Sequence, residues 1–324
     1  MGRSGKLFID HMKKIATILT LFVISAYPSF ELQRIPAGAS ALKTQLSGDT
    51  VANGETLLLE ITLPDTVVLG HITAGLGDTM ALRLYEHPVK TEGAFFAMVG
   101  IDYYAEPYSD TIHVMWTEDD ISYTRSLPFQ VTRGSYPSSR VTGVPQSRVT
   151  PSAADYRRIA RERREIGAAY VSVRDSVLME GPFRMPTEKV TITGAFGSRR
   201  IFNGQLRSVH FGLDMRAYEG TPLYAAQSGL VKLAKNLFYS GNHVVIEHGM
   251  GIYSSYSHMS RLNVETGEWV EKGQLLGLSG STGRVTAAHL HWTINVNGVR
   301  VHPLQFYDVQ AALYGTEGME QYVE

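Results

Sequence analysis

The chain has 324 residues, 44% of them hydrophobic, with 30 basic side chains against 31 acidic ones and no cysteine. Length and apolar content allow roughly two globular domains and exclude wholesale disorder. The charge balance argues against a dedicated nucleic-acid binder. The absence of thiols excludes disulfides, thiolate metal sites, a cysteine nucleophile and lipid attachment at cysteine. Any metal must be held by nitrogen and oxygen.

The N-terminus sets Arg3, Lys6, Lys13 and Lys14 before the apolar run Ile15–Ala26. A basic stretch before a short apolar one reads as a secretory signal over residues 1–26. Twelve residues fall short of the ~20 that span a bilayer as a helix. An uncleaved segment giving transient membrane association is the alternative. Either way the rest of the chain is expected to be exported, to the periplasm or cell envelope.

Residues 31–135 read as a β-sandwich domain. Leu57, Leu59, Ile61 and Leu63 alternate with Leu58, Glu60 and Thr62, and short strand candidates follow at Val67–Leu69, Phe95–Ile101, Thr111–Trp116, Ile121–Thr124 and Leu127–Val131. His71, His87 and His113 lack metal spacing and read as ordinary strand or surface residues. Residues 136–180 are expected to be linker and helix. The stretch 133–151 is rich in Ser, Pro, Arg and Gly, as an extended linker would be. Ser152 and Asp155 then form a capping box that starts a helix over 152–174. Tyr156, Ile159, Ile166, Tyr170 and Val173 supply its apolar stripe, and arginines with Glu162 and Glu165 its solvated face.

From residue 181 to 310 the pattern is β again, with glycine in most turns, as in an antiparallel sheet. Residues 311–324 read as a C-terminal tail. The fold class expected overall is β-dominated: a sandwich, a connecting helix and an antiparallel sheet.

Seven of the eleven histidines lie between His210 and His302. In the strand candidate Leu290–Val296, alternation turns His289 and His291 to one face and Leu290 and Trp292 to the other. Two imidazoles together are costly to bury without partners, and a metal removes that cost. His210 and Asp214 are four apart, but Gly212 and the β pattern favour a short strand or bend over a helix. A carboxylate with imidazoles suits Zn2+, and a catalytic zinc keeps three protein ligands and one open position. His210, Asp214 and one histidine of the H-L-H pair meet that count, with His258 in Y-S-H-M nearby.

The motifs T-G-A-F-G-S-R-R (193–200), H-F-G-L-D-M (210–215), E-G-T-P-L-Y-A-A-Q-S-G-L-V (219–231), G-N-H-V-V-I-E-H-G-M-G (241–251), Y-S-S-Y-S-H-M-S (253–260), G-L-S-G-S-T-G-R (277–284) and H-L-H-W (289–292) resemble those of the lysostaphin/LytM-type zinc endopeptidases. The resemblance covers about Val190 to Phe306. It implies an antiparallel-sheet metallopeptidase that cleaves peptidoglycan peptides. It implies His210, Asp214 and His291 as zinc ligands, with His258 and His289 off the metal as catalytic proton handlers. The bottom-up chemistry agrees, since imidazoles beside an open metal position suit acid–base work. His243, His248 and His302 are assigned structural or rim duty. Asn203 and Arg207, in the loop 201–208, are candidates for touching substrate. The rival expectation is a non-catalytic member of the same fold that binds peptidoglycan or activates an amidase.

Overall fold

The computed structural model describes residues 42–318, apart from 64–68, 78–79, 91–92, 119, 144–146, 148–149, 172–175 and 203–205. The expected signal or anchor segment, Asn203 and Val173 lie outside the described residues. No helix among the described residues is long and apolar enough to cross a membrane.

The first strands are β1 (Lys43–Leu46), β2 (Thr50–Ala52), β3 (Thr56–Thr62), β4 (Leu69–Leu76), β5 (Met80–Leu82), β6 (Tyr85–Glu86), β7 (Ala94–Gly100), β8 (Tyr108–Glu118) and β9 (Ile121–Thr132). They form a four-stranded sheet ordered β1-β3-β7-β6 and a five-stranded sheet ordered β2-β9-β8-β4-β5. Leu57, Leu59 and Ile61 of one sheet share a core with Ile112, Val114 and Phe129 of the other, which is sandwich packing. The two strand candidates at 121–124 and 127–131 are one continuous strand, β9.

The four-stranded sheet is covered on both faces. Leu58 alternates away from the sandwich core, yet it is only 1% exposed and joins Phe96 and Met98 in the core of the C-terminal half. Hydrogen bonds tie the halves together at this seam. Thr56 donates its N–H to Gln305 Oε1 at 2.9 Å and accepts from Gln305 Nε2 at 2.8 Å, and His302 N–H donates to Gly54 O at 2.7 Å.

The stretch expected to be a linker contains strand β10 (Ser138–Val141), which pairs in parallel with β12, described below, at Ser138↔Arg199. Its polar composition hides an anchor just upstream. Tyr136 packs against Tyr103 and Phe196 and donates its hydroxyl to Asn53 O. Gly197 has φ +76°, and a Cβ there would run into the Tyr136 ring, so the turn and the packing both require glycine.

Helix α1 (Ala153–Ala169) begins with the expected capping box, Asp155 N–H donating to Ser152 Oγ and Ser152 N–H to the Asp155 carboxylate. It is shorter than expected, and two side chains swap roles. Tyr156 is 56% exposed, whereas Glu162 is buried. The helix docks through Ile166, Ala169 and Tyr170 onto Leu233, Leu237, Val245 and Tyr253. Glu162 accepts the Phe238 N–H at 2.7 Å and pairs with Arg158 at 2.5 Å, which is why a carboxylate is stable there.

The C-terminal half contains β11 (Ile192–Gly194), β12 (Arg199–Phe202), β13 (Leu206–Val209), β14 (Leu213–Met215), β15 (Pro222–Tyr224), β16 (Gly229–Leu237), β17 (Gly241–Glu247), β18 (Ile252–Leu262), β19 (Trp269–Val270), β20 (Leu275–Ser279), β21 (Leu290–Val296) and β22 (Val299–Val301). The large sheet runs β11-β14-β21-β18-β17-β16-β19, with β15, β20 and β22 paired at its margins. Its ladders are antiparallel. Leu290, Trp292, Ile294 and Val296 are fully buried in its core.

Helix α2 (Pro303–Tyr314) occupies the start of the expected tail. His302 is its N-cap, Pro303 fills the first turn, and Gly315 at φ +65° ends it. Residues 319–324 lie outside the described residues.

Candidate metal centre

Asp214 and His291 sit directly opposite each other on β14 and β21. Cross-strand neighbours on one face have close Cβ atoms, so the ladder itself brings carboxylate and imidazole together. His210 lies in the bend after β13 and reaches the same point, as a strand-and-bend arrangement predicts. The register also places Ser257 of β18 beside His291.

Three atoms form a near-equilateral triangle. His210 Nε2 is 2.8 Å from Asp214 Oδ1, His291 Nδ1 is 2.8 Å from the same oxygen, and the two nitrogens are 2.8 Å apart. His210 Nδ1 donates to Ala195 O at 2.8 Å. That bond fixes the tautomer, leaving a lone pair on Nε2. A nitrogen lone pair facing a carboxylate oxygen at this distance is repulsive unless a proton or a metal cation lies between them. These three residues therefore fit a metal ion with N,N,O preference, as Zn2+ has, and they are the set among the described residues whose ligand atoms converge.

The electrostatics agree. Burial alone would favour a neutral Asp214, but contacts with His210, His289 and His291 outweigh it and hold the carboxyl well below the usual range. Burial pushes the His291 imidazole down to about 4. An ionised carboxylate and a neutral imidazole are the ligand states a metal needs.

His258 and His289 flank the triangle. Their ring centres are 5.0 Å apart, and His258 is 5.8 Å from His291. His258 Nδ1 donates to Thr282 O at 2.9 Å, and His289 Nδ1 to Ala287 O at 2.9 Å. Each thus keeps an Nε2 lone pair when neutral, and His289 Nε2 lies 3.6 Å from Asp214 Oδ1. Burial, then the neighbouring His289 and His291, hold His258 well below its ordinary value. Burial opposes protonation of His289, but Asp214 outweighs it and raises the group.

His258 is aimed by a bulge. Between Val244↔Tyr256 and Asn242↔Met259 the β18 side contains one extra residue, and His258 has φ +66°. A left-handed conformation at a non-glycine residue costs of order 1–3 kcal/mol and is characteristic of functional sites. Here it rotates the ring out of simple strand alternation. The His258 N–H donates to Ser240 O at 2.8 Å. Thr282, in turn, donates its hydroxyl to Met259 O at 2.7 Å and accepts the Asn242 N–H at 2.9 Å.

Sequence reasoning brought all five expected residues to one place and missed their supports. Arg200 donates to Asp214 Oδ2 at 2.5 Å. A Cβ on Gly194 would fall 2.6 Å from both members of that pair. A Cβ on Gly212 would fall 2.6 Å from His291 Cε1. The paired arginines of G-S-R-R beside two glycines were the available signal. His243, His248 and His302 stand off the triangle. His243 Nδ1 is 2.9 Å from Ser257 Oγ. His248 Nδ1 donates to Ser228 O at 2.8 Å. Arg207 pairs with Ile201 in the β12–β13 ladder.

Residues 208–303 match the family model described as Peptidase family M23. The peptidoglycan DD-endopeptidase ShyA of Vibrio cholerae is 37% identical over 142 residues, 43% of this chain and 33% of that protein. Lysostaphin of Staphylococcus staphylolyticus is 35% identical over 116 residues, 34% of this chain and 24% of that protein. The chain thus spans about a third or less of the curated relatives it matches. A Pseudomonas aeruginosa crystal structure described as a peptidase M23 aligns over 79% of this chain and 94% of its own, with a TM-score of 0.57 at 23% identity, a likeness of fold. Residues 208–303 of this chain are thus a peptidase M23 domain, homologous to the lysostaphin- and LytM-type peptidoglycan endopeptidases.

Proposed function

We propose that the chain is an exported zinc metalloendopeptidase that hydrolyses peptide cross-links or stem peptides of peptidoglycan. The observation that carries this is the 2.8 Å triangle of His210, Asp214 and His291 with two further imidazoles at its edge. The Vibrio cholerae relatives ShyA and ShyC are peptidoglycan DD-endopeptidases, which supports the substrate class. Export rests on the basic and apolar N-terminal residues.

His210, Asp214 and His291 would hold the metal. When bound, Zn2+ supplies Lewis acidity and a water acidified toward neutral pH. His258 and His289, which flank the triangle, would accept a proton from the attacking water and return one to the leaving amine. Their Nδ1–H bonds to backbone carbonyls keep the Nε2 atoms turned inward, so no rotation is needed during proton transfer. Arg200 holds the second oxygen of Asp214, leaving the first for the metal.

The test is a digest of purified sacculi by the mature protein, with and without chelator, beside His291→Ala. Release of cross-linked peptides by the untreated wild type alone is expected. Binding to sacculi without release, by zinc-loaded protein, would support the non-catalytic alternative instead.

A further inference from the structure

Helix α1 carries five arginines against three carboxylates, and its docking sorts them. Arg157, Arg161 and Arg164 are exposed and recur at i, i+4 and i+7, the spacing of one helix face. Ala153, Ala160 and Ala168 are exposed between them. Tyr156, 56% exposed, flanks this face, and Val171, 76% exposed, lies just beyond the helix. The carboxylates are engaged elsewhere. Asp155 closes the capping box, Glu162 is buried against Phe238 and Arg158, and Glu165 is held by Lys235 at 2.7 Å.

The exposed face keeps a surplus of positive charge. Glu165 answers three cations: the Lys235 hydrogen bond first, then Arg161 and Arg164, hold its carboxyl below the ordinary value. Arg161 is 3.8 Å from it. No described carboxylate lies within ion-pair distance of Arg157 or Arg164.

Shape and chemistry select the partner. A soluble polyanion gains most from a concave basic cleft, which focuses the field on it. The concave surface beside α1 is of mixed charge, with Asp102 and Glu162 among its lining residues as well as Arg163 and Arg300. The arginine face is instead the convex outer side of a helix, and its cations alternate with apolar side chains. That combination fits a plane of anionic headgroups: guanidinium groups take the phosphates, and the alanine, valine and tyrosine side chains meet the acyl boundary. The N-terminal sequence agrees in kind. Arg3, Lys6, Lys13 and Lys14 precede the apolar run Ile15–Ala26, which, if retained, would keep the chain beside a membrane.

We infer that the outward face of α1 docks the protein on an anionic phospholipid membrane. The surface is separate from the metal centre, so a failed wall digest leaves it untouched.

The test is co-sedimentation of the mature protein with vesicles of phosphatidylcholine, alone or mixed with phosphatidylglycerol. Binding to the mixed vesicles, abolished by added salt, and none to the neutral ones is expected. Combining Arg157→Gln, Arg161→Gln and Arg164→Gln should weaken that binding at least about tenfold, each arginine contributing up to about fivefold. Lysine at the same three positions should retain most of it. Arg133→Gln, which removes an exposed arginine just after β9, should change nothing. Glutamine is a good helix former and Glu165 keeps Lys235, so the fold should persist, as far-UV circular dichroism checks. If the triple variant misfolds, the three single variants read the same contributions one at a time. Equal binding to both kinds of vesicle overturns the inference, as does wild-type affinity in the triple-glutamine variant. Binding to soluble polyphosphate or purified sacculi but not to anionic vesicles assigns the face to a polymer and overturns it too.

Discussion

Arg200 grips one oxygen of Asp214 while the other points at His210 and His291. The Arg200 Nη2 to Asp214 Oδ2 distance is 2.5 Å, and Asp214 Oδ1 is 2.8 Å from each histidine nitrogen. The arginine therefore sets the rotation of the carboxylate about its Cβ–Cγ bond. Without it, Asp214 could turn and present either oxygen or both.

Arg200→Gln should weaken zinc binding about 10–100-fold, the usual effect of removing a group that orients a metal ligand. The measurement is competition against a chromophoric chelator. His291→Ala provides the lower limit. Zinc affinity unchanged in Arg200→Gln would show that the pair only neutralises charge.

The bulge at His258 makes a prediction that reverses the usual order of substitutions. His258→Ala and His258→Gly both lose the bond to Thr282 O, so their difference isolates the φ +66° backbone. At an ordinary strand position Ala would be the more stable. Here Gly should exceed Ala by about 1 kcal/mol, because the left-handed conformation penalises a Cβ. Thermal unfolding of the metal-free proteins decides it. A more stable Ala variant would mean that the segment relaxes out of the left-handed region.

The contrast between readable and unreadable features follows from range. The H-L-H pair was legible because strand period alone puts His289 and His291 on one face and buries Leu290 and Trp292. The Ser152–Asp155 box was legible because capping is local. The convergence of His210 and Asp214 with His291 depends on the β14–β21 register, a pairing between segments far apart in the chain. Motif resemblance supplied what periodicity could not. The bulge at His258, strand β10 within a linker-like composition, and the burial of Glu162 each depend on a distant partner: Asn242, Arg199 and Phe238. No local pattern carries those partners.

Glu162 gives a packing prediction. It is 5% exposed and accepts the Phe238 N–H. Glu162→Ala leaves that buried donor unsatisfied and should cost about 1–3 kcal/mol. Glu162→Gln keeps an acceptor for the N–H and should cost less, since it loses chiefly the Arg158 pairing. Denaturant midpoints would separate the two. Equal losses would assign the stabilisation to the ion pair instead.

Acid should weaken the fold through His248, well away from the metal triangle. Its Nδ1 donates to Ser228 O, and Nε2 lies 2.8 Å from Ser254 Oγ. Burial pushes its pKa down to about 4, with the Ser228 carbonyl opposing only in part. The unfolded chain, with an ordinary value near 6.5, binds the proton first as pH falls. Between about 6.5 and 4 the unfolded state therefore holds more protons, and stability drops with falling pH across that window. Above it the group contributes no slope. The full loss, reached below about pH 4, is about 3 kcal/mol. His248→Asn retains an N–H for Ser228 O but cannot titrate. In metal-free protein, where release of zinc adds nothing, its denaturant midpoint should fall less steeply from pH 6.5 to 4 than that of the wild type. His243, pushed down to about 3 mainly by burial, should leave a residual slope in both. Parallel curves would assign the acid sensitivity to groups other than His248.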